Sequence, residues 1–306
     1  MQYQEKYSYG GWKNCIRLSN GKIELVVTTD VGPRIIRLSE VNKKNLFKEY
    51  KNQLGLTGGD EWRSYGGIRF WHAPEASPRS YSPDNFPVKN SWDKNTLKLS
   101  QETEKTTGIK KEMEITLDEE NNHVRINYRL INNNLWDIEI SPWAISVMAE
   151  NTMAIVPQEP FQSWQENLSP VRPVSLWAYT KMQDPRWTWG DKYIRLKQDP
   201  NSVSCQKIGV LNTAGWIAGY NDGEILVKRH SFDPDFGYPD FNCNTEIYTD
   251  ADILELETLG PLVILEPGAE VELVEHLFYF KATIVNTDES IDEKLIPLIK
   301  ETDKFI

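Results

Sequence analysis

Apolar and polar residues alternate with period two along most of this chain, the repeat that turns one face of a β-strand toward a core and the other away. Within residues 22–29, Ile23, Leu25 and Val27 share one face. Within 123–130, Val124, Ile126, Tyr128 and Leu130 oppose His123, Arg125, Asn127 and Arg129, so the pattern predicts an exposed His123. Segments 110–117, 215–220, 224–228, 244–249, 253–258 and 270–280 carry the same signature. Asn20-Gly21 and Asn221-Asp222-Gly223 mark hairpin turns, and Asn132-Asn133-Asn134 marks another turn. Helical spacing is nearly confined to the C-terminus. There Ile291, Leu295, Leu298 and Ile299 fit one face, Asp288 and Ser290 are capping candidates, and Pro297 predicts a kink or restart.

Many strands with almost no helix predict an all-β sandwich or barrel-like fold. No repeat or linker divides the sequence, so 1–306 is read as a single domain. The proline-rich stretch 157–190 holds Trp164, Trp177, Trp187 and Trp189 and reads as long irregular loops rather than a boundary.

Charge narrows the partners. The net charge of −11 is spread along the chain, which argues against a nucleic acid or an anionic membrane surface. No stretch approaches the ~18 apolar residues of a membrane span, and the first residues lack the apolar core of a secretory signal, so the expected location is cytoplasmic. Cys15, Cys205 and Cys243 are far apart and odd in number. They predict buried free thiols rather than a disulfide framework or a zinc site.

Residues 58–75 are the densest candidate site. Asp60, Glu61, Arg63, Arg69, His72 and Glu75 are interleaved with Trp62, Tyr65, Phe70 and Trp71, and glycine pairs stand at 58–59 and 66–67. Aromatic faces beside charged groups suit a sugar, whose C–H face stacks on a ring while its hydroxyls take polar partners. In a regular strand, Arg69 and Trp71 share one face and Ile68, Phe70 and His72 the other. His72 then joins Arg69 only if Trp71–Pro74 bends. A second candidate lies at 253–258, where Glu255 and Glu257 share a face roughly 7 Å apart, opposite Leu254 and Leu256. They are either solvent-facing acids of an ordinary strand or a carboxylate pair in a cleft, where burial would tune one as a general base. His230 precedes a turn-like segment that could line a pocket. No phosphate loop, dinucleotide fingerprint, nucleophile elbow or metal-ligand spacing is present, so no cofactor or metal is expected.

The chain resembles the galactose-mutarotase-like superfamily, and within it a branch carrying a domain of unknown function. The resemblance rests on Gly11-Trp-Lys-Asn-Cys15, Thr28-Thr-Asp-Val-Gly-Pro-Arg-Ile-Ile36 and the stretch 66–75. It continues in Ser141-Pro-Trp-Ala144, Asp184-Pro-Arg-Trp187, Tyr238-Pro-Asp-Phe241, Leu256-Glu-Thr-Leu-Gly-Pro261 and Glu266-Pro-Gly268. It implies a β-supersandwich of antiparallel sheets with a sugar groove across one of them. The aldose 1-epimerases of that superfamily use a carboxylate base at the anomeric hydroxyl and a histidine acid at the ring oxygen. Glu257 matches the base. Where the family has Asn-His, this chain reads Pro142-Trp143, so the acid departs from the pattern and His72 or His230 would have to replace it.

The resulting expectation is a monomeric or homodimeric carbohydrate-binding protein that interconverts anomers. Glu257 is the base, His72 the candidate acid, and Arg69, Trp71, Glu75, Glu255, Trp143 and His230 are the substrate contacts. A non-catalytic sugar-binding or sensing module is the alternative. A lyase or hydrolase acting on an acidic sugar, for which Arg63 and Arg69 are suited, is a third reading.

Overall fold

The computed structural model describes all 306 residues. Two large sheets, antiparallel throughout, stack face to face. The first runs from edge to edge through Gln2–Tyr9, Trp12–Ser19, Ile23–Thr28, Arg34–Glu40, Gly67–Ala73, Ile138–Met148, Leu254–Leu259, Thr245–Thr249, Gln206–Val210 and Val174–Leu176, with Val263–Leu265 also pairing Ile138–Met148. The second runs through Trp187–Trp189, Tyr193–Lys197, Met153–Pro157, Trp216–Asn221, Glu224–His230, Glu270–Lys281, His123–Asn132, Ile109–Leu117, Thr96–Ser100 and Lys89–Asp93. The all-β supersandwich and the short C-terminal helical segment expected from the sequence are both present. Gly21 and Gly223 turn their hairpins at φ 86° and 88°, a region open to glycine without a Cβ penalty.

Alternation sorts side chains into three main apolar layers, with a smaller cluster of Trp12, Cys15, Val26, Val31, Ile36 and Tyr65 beside them. Between the sheets, 41 buried residues form one cluster that includes Ile68, Phe70, Ala144, Leu254 and Leu256 from the first sheet and Tyr128, Leu226, Leu273 and Leu277 from the second. Burying each such side chain is worth about 1.5–3 kcal/mol relative to leaving it in water. The outer face of the second sheet is covered by the C-terminal helices: Ile155, Ala218, Ile225, Val227 and Phe278 pack on Ile291, Leu295 and Ile299. That cover overturns the exposure expected for His123. Its ring bonds His276 at 2.9 Å and stacks on Phe278, with Phe305 of the C-terminal turn against it. A strand whose outer face carries polar residues reads as solvent-facing until a distant segment folds over it.

The helical segment is two helices, Asp288–Lys294 and Ile296–Thr302, with Pro297 in the first turn of the second, where its missing N–H costs nothing. Thr287, rather than Asp288 or Ser290, is the N-cap, its hydroxyl accepting from the Ser290 amide at 3.2 Å.

A buried ion pair ties the layers together. Lys228 and Glu275, both fully buried between the sheets, meet at 2.9 Å. Lys228 Nζ also donates to the carbonyls of Leu256 (3.0 Å) and Ala144 (3.3 Å), and Tyr128 donates to Glu275 Oε2 at 2.9 Å. The second sheet thus grips, from below, the two strands whose upper faces carry the site.

Candidate functional site

The third apolar layer lies on the outer face of the first sheet, where Trp71, Trp143, Ile145 and Val147 are buried with Tyr50, Trp62 and Tyr81 packed against them. Five adjacent strands build it: Gly67–Ala73, Ile138–Met148, Leu254–Leu259, Thr245–Thr249 and Gln206–Val210. Register aligns Arg69, Ile145, Glu257 and Glu246 in one row across the sheet. Val147, Glu255, Tyr248 and Lys207 make the next row, and Trp71 and Trp143 stand opposite each other in a third. Residues in these rows share a face because each strand alternates sides. Above them opens a cleft of about 920 Å³. Its walls include Tyr50, Trp62, Tyr81, Trp177 and Tyr179, and its floor includes Arg69, Trp71, Trp143, Lys207, Tyr248 and Glu255.

Two ion clusters sit on this floor. Arg69 bonds Glu255 at 2.8 Å, with its guanidinium carbon 4.6 Å from the Trp71 ring and 5.6 Å from Trp62. Glu255 Oε1 takes that bond, and its Oε2 takes no hydrogen bond from the protein. Burial raises the Glu255 carboxyl above the ordinary range, Arg69 opposes the rise, and Glu257 adds to it. In the second cluster, Lys207 Nζ lies 2.8 Å from Glu246 and 2.9 Å from Glu257. The ammonium is 4.8 Å from the Trp143 ring and 4.7 Å from Trp177. Burial works to discharge Lys207, but the two carboxylates outweigh it and hold its pKa well above the usual lysine range. Glu246 goes the other way: burial raises its carboxyl well above the carboxylate range, with Lys207 opposing the rise and Glu257 adding to it.

The loop at 58–66 is held by groups from outside it. Arg34 donates to the Ser64 and Gly66 carbonyls, each at 2.7 Å, and Asn85 bonds the carbonyls of Gly59 and Glu61. Gly67 has φ +71°, and a Cβ there would lie 2.2 Å from the Ile35 carbonyl oxygen, so only glycine lets the strand enter beside Arg34–Glu40.

Most of the residues expected from the sequence converge here. Arg69, Trp71, Glu75, Trp143 and Glu255 line the cleft. Glu257 lies on the same face but is sealed beneath the floor, fully buried, with Oε2 accepting from Trp143 Nε1 and Lys207 Nζ, each at 2.9 Å. The two histidines do not join them. His72 occupies the opposite face, fully buried among the core layer, because the strand stays regular through Ala73 and makes no bend. Neither of its ring nitrogens has a partner, and burial, with Lys111 and Arg79 adding, pulls its pKa down to about 2. His230 comes from the second sheet and points between the layers, bonding Thr245 Oγ1 at 3.2 Å, with burial lowering it to about 4. Both lie outside the cleft.

Lys207 and Glu246 join the site without having been expected from the sequence. The Thr-Glu-Ile-Tyr-Thr alternation of Thr245–Thr249 already puts Glu246 and Tyr248 on one face, a signal that becomes useful once that strand is paired with Glu255 and Glu257. Lys207, alone in a five-residue strand, carries no such signal. Of the three cysteines, Cys15 and Cys243 are buried, whereas Cys205 is half-buried at the cleft.

An all-β supersandwich with an open groove across one sheet defines the class of the protein. Among solved structures, that architecture is the galactose mutarotase-like fold. A galactose mutarotase-like protein from Lactobacillus casei aligns with TM-score 0.58 at 10% identity, covering 87% of this chain and 100% of that one. An Escherichia coli K12 protein proposed to be an aldose 1-epimerase aligns with TM-score 0.57 at 12% identity, covering 88% and 99%. A TPR-domain containing protein from Parabacteroides distasonis aligns with TM-score 0.57 at 13% identity over 89% of this chain, which spans only 48% of that protein. No protein-family model matches the chain, and no curated protein matches it. Identities this low carry the fold and nothing finer. No helix is long and apolar enough to cross a membrane.

Proposed function

We propose that the protein binds a neutral saccharide in the cleft over Arg69 and Glu255. The carrying observation is a charge pair set between two indoles at the floor of an open cleft of about 920 Å³. Trp62 and Trp71 offer faces for the C–H side of a pyranose, and Glu255 Oε2 offers an acceptor for a hydroxyl. Neither arginine is free to clamp an acidic sugar: Arg69 is committed to Glu255, and Arg63 to the Gly58 carbonyl and Tyr65.

Anomer interconversion at the same place is the second reading, favoured by the raised pKa of Glu255. In that reading Glu255, which faces the cleft, takes the proton of the anomeric hydroxyl while solvent water protonates the ring oxygen as its bond to the anomeric carbon breaks, and Glu257 supports Lys207 from below. Calorimetric titration with common hexoses, pentoses and uronic acids tests the binding. A neutral sugar should bind, and Trp71→Ala should weaken it about tenfold, the loss of one aromatic stack. Binding confined to uronic acids would refute the neutral assignment. Exchange NMR tests turnover: Glu255→Gln should abolish it, and abolition by Glu257→Gln alone would return the base to Glu257.

A further inference from the structure

The floor of the cleft solves the same recognition problem twice. At one end a cation, Arg69, lies between the rings of Trp62 and Trp71 with Glu255 beside it. At the other a cation, Lys207, lies between the rings of Trp143 and Trp177 with Glu246 and Glu257 beside it. Strand order fixes their separation. Arg69 reaches Glu255 across the Ile138–Met148 strand, and Lys207 reaches Glu257 across the Thr245–Thr249 strand. The centres of the two clusters are thus two strand spacings apart, about 10 Å. Tyr248 stands between Glu255 and Lys207 in the same row. The two centres open into one continuous cleft rather than two pockets, because Arg69, Glu255, Trp143, Trp177 and Lys207 all line it.

A single pyranose of twelve heavy atoms covers one such centre and leaves the other in water. Two aromatic-flanked polar centres in one groove match a ligand that itself repeats, with one ring over each centre and the glycosidic bond above the intervening Leu254–Leu259 strand.

Resting on the saccharide reading above, we infer that the natural occupant is a glycosidically linked saccharide of at least two units, held by an Arg69 subsite and a Lys207 subsite.

A chain-length series on the whole protein tests this. Glucose, galactose, mannose and xylose are titrated calorimetrically beside maltose, cellobiose, lactose, mannobiose and xylobiose, with saturation-transfer NMR on every pair that binds. The expected result is at least one disaccharide bound about tenfold tighter than its component sugars, with saturation reaching protons of both rings. Trp177→Ala should bring the disaccharide-to-monosaccharide affinity ratio close to one. Trp71→Ala should weaken both ligands. Should Trp177→Ala fail to fold, the wild-type series decides alone. A monosaccharide that binds as tightly as every disaccharide containing it overturns the two-subsite inference and leaves the saccharide reading standing. Absence of binding by every probe overturns both.

Discussion

Replacing Lys228 with methionine removes one partner of the ion pair that clamps the two sheets. Methionine keeps most of the aliphatic stem, so the packing volume changes little and the loss is mainly polar. Three contacts disappear: the 2.9 Å pair with Glu275 and the bonds to the Leu256 and Ala144 carbonyls. Glu275 is left fully buried with only the Tyr128 hydroxyl. Breaking a buried pair from one side costs about 3–5 kcal/mol, mostly the penalty of the stranded charge. Unfolding entropy of ~2.1 cal/mol/K per residue gives roughly 0.6 kcal/mol/K for a chain of 306 residues, so Tm should fall by about 5–8 °C. Circular dichroism melts at neutral pH measure it. The double variant Lys228→Met/Glu275→Gln should regain at least half the loss, because no charge is then stranded. A single-variant shift within about 1 °C, or a double variant less stable than the single, would refute the reasoning. Because Lys228 grips the strands bearing Glu255 and Trp143, a destabilised variant should also bind saccharide more weakly.

Three further outcomes follow from named residues. Burial lowers His72 to about 2 and His230 to about 4, below the ordinary 6.5, so the unfolded chain takes up protons that these rings refuse. Their stability contribution is complete above pH 6.5 and is lost as pH falls from there, toward about 4 for His230 and about 2 for His72. The Tm of wild type should drop over that window, and His72→Phe should flatten the drop; equal slopes would contradict it. Gly67→Ala places a Cβ 2.2 Å from the Ile35 carbonyl at φ +71° and should yield little folded protein, read as soluble expression and melt cooperativity. Thr287→Ala removes the helix cap and should cost about 1 kcal/mol, a Tm shift of roughly 1–2 °C, whereas Thr287→Ser should restore it.

Where the chain alternates cleanly, the sequence and structure agree. Ile253–Thr258 placed Glu255 and Glu257 on one face, and residues 67–72 separated Arg69 and Trp71 from His72, as observed. The same alternation bore against His72 as an acid, since a one-residue offset in a strand is a change of face. Depth was not legible. Glu257 lies on the cleft face yet beneath Lys207 and Trp143, and this depends on register with a strand fifty residues upstream. His123 shows the same limit from outside, because its cover is Phe305 at the other end of the chain. The 157–190 segment carried a tryptophan signal without a place. Trp177 stands over Lys207, whereas Trp164 is exposed, and composition does not separate them.

A saccharide on the outer face of the first sheet would lie against the indoles of the cleft, and its binding can be read there. Indole N–H resonances test it most directly, because the chain has 11 tryptophans distributed over several layers. The 15N-labelled protein is titrated with the tightest-binding neutral saccharide, and each indole signal is assigned by single Trp→Phe variants. Trp62, Trp71, Trp143 and Trp177 should shift together along one saturable curve. Trp12 and Trp216, buried in other apolar clusters, should stay fixed. Shifts confined to indoles outside the cleft, or no saturable shift with any saccharide, would contradict it.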